Sequence, residues 1–332
     1  MLIAMLALSR SDVESLLDLD ELVDAVASAM VELSAGRASV PPRVAAFVER
    51  SGGLLGAMPA YLPGAEVLET KLVSLFPGNA GTALPTHQAV IVCFDPATGS
   101  PAALMDAEYI TEVRTVAGSA LSTRLLARED SRVLAILGTG VQARAHARAI
   151  PRVRPIVEIR VAGRRRSTAE AFAERLAGEM PLRVRVADSP EEAIAGADVV
   201  CACTHSPEPV VRREAVARGM HLTSVGVNRD GPEVDAETVR DSLVVVESRT
   251  AVLAPFPAGS ADIAWPIRDG VIGPDHIHAE IGEIVSGARP GRTNDDQISL
   301  YKSVGVGVQD AAAARLVLDA ARRRGAGTEV AL

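Results

Sequence analysis

The sequence predicts an α/β protein in two parts: a mostly antiparallel sheet domain, then a doubly wound parallel sheet. Three observations carry this reading. Short alternating stretches separated by turn residues occupy the chain up to Tyr109. Beyond it, strand-like and helix-like stretches follow one another in turn, the rhythm of a parallel sheet. Within the first of those alternations a glycine turn, Gly138-Thr139-Gly140-Val141-Gln142-Ala143, leads from an apolar run into a helix-like segment.

Taken in order, the opening "MLIAMLALSRSD" reads as a first strand. It has a short apolar run, no basic leading segment and no clear cleavage site, so it does not match a secretory leader. One helix is expected over "SDVESLLDLDELVDAVASAMVELSAG", with Ser11 and Glu14 as a capping box and Gly36 as its stop. After "PPR" the stretches "VAAFVE", "GLLGAMPAYL", "LETKLVSLFP" and "HQAVIVCFD" predict strands, divided by "SGG" and "PGN". "VIVCFDPATGSPAALMD" is a hairpin signal. A helix follows in "AEYITEVRTVAGSALSTRLLA". Strands are then expected at "RVLAIL", "VEIRVAG", "RVRVA", "ADVVCACT", "HLTSVG" and "LVVVES", with helices at "STAEAFAERLAGEM" and "SPEEAIAGA". The tail "SVGVGVQDAAAARLVLDAARRRG" predicts a long final helix that is free to cross back to the first domain. There is no internal repeat.

Composition narrows the function classes. The 332 residues suffice for two domains with large cores. Hydrophobic residues make up 48% with few aromatics, so the cores must be built from Ala, Val, Leu and Ile. A net charge of −8 argues against a general nucleic-acid binder. No apolar stretch reaches the roughly 20 residues that span a bilayer. Cys93, Cys201 and Cys203 lie in apolar runs and are too few and too poorly spaced for a disulfide framework or a zinc site. They predict buried thiols and a cytoplasmic location. "DHIH", residues 275–278, has metal-ligand residue types but turn-rich surroundings, and no metal is expected there.

The glycine turn carries the first functional expectation. A dinucleotide fingerprint needs one glycine for the tight turn and a second that lets backbone N–H groups approach pyrophosphate. A small third residue lets the helix pack close to the strand. Gly138, Gly140 and Ala143 fill these places, with Thr139, Val141 and Gln142 completing the loop. The second strand ends in Gly163-Arg164-Arg165-Arg166 without an acid at its tip, and Glu158 falls too early to serve. Guanidinium forks suit a 2′-phosphate, so Arg164 and Arg165 predict NADP(H) in preference to NAD(H).

Several stretches together resemble the ornithine cyclodeaminase/mu-crystallin family. The strongest are "LPTHQAVIVCFDPATGSPAALMDAEYITEVRTVAGSA" and "ILGTGVQARAHARAI". "MPAY", "KLVSLFPGN", "ADVVCACT", "GMHLTSVG" and "YKSVGVGVQDAAAA" fall in the family's order. The resemblance implies a Rossmann-type doubly wound sheet over 117–303, inserted into a mixed α+β substrate and dimerisation domain of 1–116 plus 304–332. It also implies a homodimer, and hydride chemistry on small amino or imino acids. Arg43 and Lys71 match the pair that holds the substrate carboxylate, and Arg114 an arginine between substrate and cofactor phosphates. Thr86 matches a cofactor-contacting threonine. Gly140, Val141 and Gln142 match the phosphate loop, Thr204 and Val225 match residues near the nicotinamide half, and Ser303 one that closes over it.

Departures from the pattern bear on the substrate. Cyclodeaminases of the family have an acidic residue shortly after the "VG" that ends near Gly226; here Asn228 stands in that place, with Asp230 two residues on. Asparagine exchanges hydrogen bonds but takes no proton at neutral pH. "KLVSLFPGN" is also closer to the imine-reductase and alanine-dehydrogenase branches. The expected activity is therefore reduction of a small cyclic imino acid such as 1-pyrroline-2-carboxylate, with Lys71 and Asn228 at the reacting centre. The alternatives are an ornithine cyclodeaminase, an alanine-type dehydrogenase, or a protein that binds NADP without turnover.

Overall fold

The computed structural model describes residues 4–331 apart from Val227, Arg229, Phe256 and Pro257. They form two compact units: residues up to Arg114 with those from Gly305 onward, and Thr115–Val304. In the first unit β1 (Ala4–Leu8) precedes two helices, α1 (Arg10–Leu16) and α2 (Leu19–Ser34). The single helix expected over 11–36 is thus corrected to two. Ser9, not Ser11, caps α1, in a reciprocal pair with Asp12. Asp18 accepts from the backbone N–H groups of Asp20 and Glu21 at 2.9 and 3.1 Å and starts α2 afresh, leaving Leu17 extended. A second good N-cap outcompetes one continuous helix at this point. Gly36, at φ +68°, stands just past the end of α2 as expected.

A meander follows: β2 (Val44–Val48), β3 (Gly53–Leu62), β4 (Val67–Leu75), β5 (His87–Phe94) and β6 (Pro101–Asp106). The predicted hairpin joins β5 to β6; the Asp95 carboxylate accepts from Ala97 and Thr98 N–H and fixes its turn. Strand alternation sends Met58, Ala60, Glu69, Lys71, Ile91, Cys93, Ala103 and Met105 to one buried face. Helix α3 (Glu108–Leu126) then carries the chain into the second unit.

That unit runs β7 (Val133–Leu137), α4 (Val141–Val153), β8 (Glu158–Ala162), α5 (Arg166–Glu179), β9 (Arg183–Val186), α6 (Pro190–Ile194), β10 (Val199–Ala202) and β11 (His221–Ser224). It continues with α7 (Ala236–Arg240), β12 (Leu243–Val246), α8 (Arg249–Val252), α9 (Ala261–Arg268), β13 (Ile277–Glu280), α10 (Ile281–Val285) and β14 (Ser299–Lys302). Its eight strands pair in parallel in the order β13-β12-β14-β11-β10-β7-β8-β9. Both faces are covered. Leu134 and Ile136 pack with α4 and α5 residues, while Ala135 and Leu137 join the opposite core with Val200 and Leu222. Two-sided burial explains the unbroken apolar runs. The strand order reverses between β7 and β10, the switch point at which such sheets bind ligands beyond the strand ends.

The chain returns to the first unit through α11 (Gly307–Arg324) and β15 (Thr328–Ala331). Its seven-stranded sheet has the order β15-β1-β6-β5-β4-β3-β2, antiparallel except where β1 runs beside β6. A Cβ on Gly307 would stand 2.9 Å from that of Ala60, so α11 lies close on β3 over the buried face. The residues of α11 as far as Ala314 are all buried.

Candidate active site

In the first unit β4 turns Lys71 inward beneath α11. Its Nζ donates to Asp310 Oδ2 at 2.7 Å, with Thr111 Oγ1 at 3.4 Å. The other oxygen of Asp310 accepts from Arg114 Nε at 3.1 Å, and Arg114 Nη1 donates to Gln309 at 3.2 Å. Lys71 is 2% exposed and Asp310 is fully buried. Burial lowers the Lys71 ammonium to about 8 against the pull of Asp310. Burial alone would raise Asp310, but Lys71 and Arg114 together hold it below its ordinary range. Arg43 approaches the same segment from the other side, donating from Nη2 to the Gly305 carbonyl at 2.7 Å. Gly305 has φ +76°, and a Cβ there would meet the Arg114 guanidinium at 2.8 Å. Arg43, Lys71 and Arg114, far apart in sequence, therefore all reach the turn into α11. Lys71 and Arg114 share the Asp310 carboxylate, and Arg43 brings a third basic group to the Gly305 carbonyl, a set of donors suited to a small carboxylate.

His87 shares the inner face of β5 with Ile91, and burial together with Lys71 and Arg114 pushes its imidazole down to about 4. It is neutral at physiological pH. Thr86 beside it is exposed, and its carbonyl accepts from Phe76 N–H at 2.8 Å.

In the second unit the glycine turn has the form a pyrophosphate requires. Gly138 has φ +114°, and its N–H donates to the Ala162 carbonyl at 2.8 Å. A Cβ on it would lie 2.5 Å from the Cys203 carbonyl, so the ends of β7 and β10 meet there. Gly140 starts α4 with no side-chain cap, and a Cβ on it would meet nothing within 4 Å. The first N–H groups of a 13-residue helix thus face open space, as an anion site demands. Gln142 carries a buried Oε1 without a hydrogen-bond partner among the described residues. Thr139 packs against Gly163, and Ala143 is fully buried against the sheet. The open cradle and the orphaned amide oxygen fit a dinucleotide. At the tip of β8, Arg164 and Arg165 are exposed without ion-pair partners among the described residues, whereas Arg166 pairs with Glu170 and Asp188.

Beyond β10 and β11 a buried polar network sets the remaining residues. Glu233 accepts from Thr204 N–H at 2.6 Å, Thr204 Oγ1 at 2.7 Å, Ser224 Oγ at 2.8 Å and Gly226 N–H at 3.0 Å. Lys302 Nζ pairs with Asp262 at 2.6 Å and donates to the Gly226 carbonyl at 2.5 Å. Val225 N–H reaches the Ala202 carbonyl at 3.1 Å. Asn228 donates its amide to the Ser206 carbonyl at 2.7 Å, tying the two loops together, while Asp230 is exposed. Ser303 donates to Glu247 at 2.8 Å and is buried.

Sequence reasoning missed Asp310, Gln309, Glu69, Glu233, Asp262, Glu247 and Lys302. A signal was present for some. Asp310 stands directly before four alanines at the start of the last helix, and Glu69 alternates with Lys71 on the strand side that must be buried. Lysine occurs only at 71 and 302, and both are buried. Of the other residues singled out, His276 and His278 each contact a backbone carbonyl, and among the described residues no three His, Cys, Asp or Glu side chains gather as metal ligands. His205 is exposed, and Arg268 stacks on Trp265 at 4.7 Å. Cys93 and Cys201 are buried, Cys203 is half-buried, and all three are free. No described helix is long and apolar enough to cross a membrane.

Known proteins resemble this chain over nearly its whole length. The mouse (Mus musculus) ketimine reductase mu-crystallin is 40% identical over 280 residues, 84% of each chain. The Thermococcus litoralis Delta(1)-pyrroline-2-carboxylate reductase, solved with NADH and L-proline, superposes with a TM-score of 0.93 at 42% identity, covering 98% of this chain and 100% of that one. An archaeal alanine dehydrogenase dimer with bound NAD superposes with a TM-score of 0.92 at 33% identity over 99% of both. A family model matches residues 4–325, and the chain belongs to the ornithine cyclodeaminase/mu-crystallin family.

Proposed function

We propose that this NAD(P)-dependent oxidoreductase reduces a small cyclic imino acid, 1-pyrroline-2-carboxylate to L-proline being the expected case, and that it prefers NADP(H). The observation that carries the reading is the convergence of Arg43, Lys71 and Arg114 on one turn, where Lys71 and Arg114 share Asp310. Charge-assisted bonds from such groups to a carboxylate contribute roughly 1.5–3 kcal/mol each. They orient the C=N carbon by its neighbouring carboxylate. Lys71, poised at about 8, holds a proton at Nζ for the imine nitrogen, and Asp310 steadies that ammonium. The bound nicotinamide dinucleotide supplies the hydride. Gly138, Thr139, Gly140, Val141 and Gln142 hold its pyrophosphate, Arg164 and Arg165 its 2′-phosphate. Thr204, Val225 and Ser303 lie on segments that the Glu233 and Glu247 networks hold rigid, which suits the nicotinamide half.

Asn228 argues against cyclodeamination, because an amide committed to the Ser206 carbonyl relays no proton. A homodimer is supported by the outer face of the first sheet, where Leu55 and Val90 are exposed beside half-exposed Leu72, Val92 and Phe94. Three free thiols suit a cytoplasmic location.

The test is steady-state oxidation of NADPH and of NADH with 1-pyrroline-2-carboxylate. Turnover with a higher kcat/KM for NADPH is expected. The double change Arg164→Ala, Arg165→Ala should lower kcat/KM for NADPH about tenfold or more and leave NADH nearly unchanged. Ammonia release from ornithine without imine reduction would overturn the reading.

A further inference from the structure

Glu69 is two residues before Lys71 on the same inner face of β4, and its side chain plays no part in the grip described above. It is 1% exposed, and among the described residues neither carboxyl oxygen has a hydrogen-bond partner. A carboxylate in that condition is costly unless charge nearby repays its desolvation. The groups facing it are few. Lys71 is on its own strand; β5 opposite offers the Cys93 thiol, which also feels Arg322 of α11, and farther along the same face His87, whose imidazole Lys71 and Arg114 help to hold low. β3 offers Ala60 and Met58, which carry no charge. Asp310 reaches down from α11, with Arg114 of α3 on its far oxygen. Lys71 and Arg114 against Asp310 leave one positive charge in excess in a buried cluster. Ionised Glu69 would cancel it.

We propose that Glu69 is the proton-linked counter-ion of the Lys71 site. Without a ligand its carboxyl gives up its proton ahead of Lys71 as pH rises, and the charge so placed keeps Lys71 an ammonium. When a substrate carboxylate enters it supplies the balancing charge instead, and Glu69 takes one proton from solvent. The proton count closes: one carboxylate arrives, one proton is bound, and the cluster's charge is unchanged. Burial and Asp310 both raise the Glu69 carboxyl well above its ordinary range, while Lys71 pulls it back down. Glu69 is thus a positioning residue that acts through Lys71. Its consequence for catalysis rests on the imine-reductase reading.

With two lysines in the chain, protein labelled with [ε-13C]lysine gives two signals, and Lys71→Arg assigns them. In wild-type protein the Lys71 signal should titrate near pH 8, shallowly because two groups share the step. In Glu69→Gln it should titrate in one step at lower pH. Calorimetry with pyrrole-2-carboxylate, repeated in buffers of different ionisation enthalpy, should show proton uptake on binding to wild type and a clear loss of that uptake in Glu69→Gln. Coincident lysine curves, or equal proton uptake in both proteins, would overturn the proposal. Should Glu69→Gln not fold, infrared spectra of the wild type decide: the carbonyl band of a buried protonated acid must weaken before the Lys71 signal moves, and the reverse order sinks the idea. Failure of the substrate reading looks different: no turnover with 1-pyrroline-2-carboxylate, while the lysine curves still differ.

Discussion

The two lysines show how one residue type does two jobs. Lys71 shares its carboxylate with Arg114, so replacing it leaves Asp310 one cation. Lys302 is the cation on Asp262, and its loss strands a buried carboxylate and the Gly226 carbonyl. Lys71→Met is therefore expected to lower kcat/KM by about 100-fold or more, through a lost carboxylate contact and a lost proton, with a modest stability cost. Lys302→Met is expected to lose about 3–5 kcal/mol of stability. Urea unfolding beside steady-state kinetics separates the two; equal destabilisation would contradict the distinction. The basic half of this arrangement was legible in the sequence, because "PPR", "ETKLVS" and "TEVRT" resemble family motifs. Its acidic half was not. Asp310 lies 239 positions from Lys71, and no local pattern says that a helix from the far end of the chain covers β4.

At the scale of elements, the glycine turn separates two uses of one residue type. Gly138 is needed by the fold, since its φ of +114° and the Cys203 carbonyl 2.5 Å from any Cβ leave no room for a side chain. Gly140 has an ordinary φ of −87° and open space around it. Gly138→Ala should cost about 1–3 kcal/mol of stability or more. Gly140→Ala should leave the unfolding midpoint in place and raise the dinucleotide Kd at least about tenfold, because the new methyl occupies the space meant for pyrophosphate. Thermal melts and fluorescence titration with NADPH check both. Unchanged NADPH affinity in Gly140→Ala would remove the cradle from the site. Strands β7 to β12 were readable from apolar or alternating runs, whereas β13 ("IHAE") and β14 ("SLYK") carry no such run and were not. The break between α1 and α2 was not, because Leu17 and Asp18 suit a helical periodicity and only the capping contacts of Asp18 reveal a second start.

For the molecule as a whole, two properties follow from summed surfaces and charges. If the outer face of the first sheet meets its copy, Leu55→Glu with Val90→Glu should convert a dimer to monomers in analytical ultracentrifugation. A wild-type monomer would refute the assembly. Acid stability rests on neutral histidines. His146 is locked between the Gln142 carbonyl at 2.7 Å and Ser119 Oγ at 2.8 Å, and burial lowers it to about 4. His221 contacts Ser299 and Ser122, and burial, with Arg292 and Arg154 adding to it, lowers it to about 3. The unfolded chain protonates each near 6.5, which the fold resists. Their stabilisation is full above pH 6.5 and is lost as pH falls toward 4 and then 3. His87, lowered to about 4, adds to the same window. Each histidine should contribute a slope of about 1.4 kcal/mol per pH unit there. Urea unfolding between pH 6.5 and 4 should therefore show a steep loss, and His146→Gln should reduce the slope by about one histidine's share. A wild-type stability that is flat across this range would mean that the buried imidazoles accept protons without opening the fold.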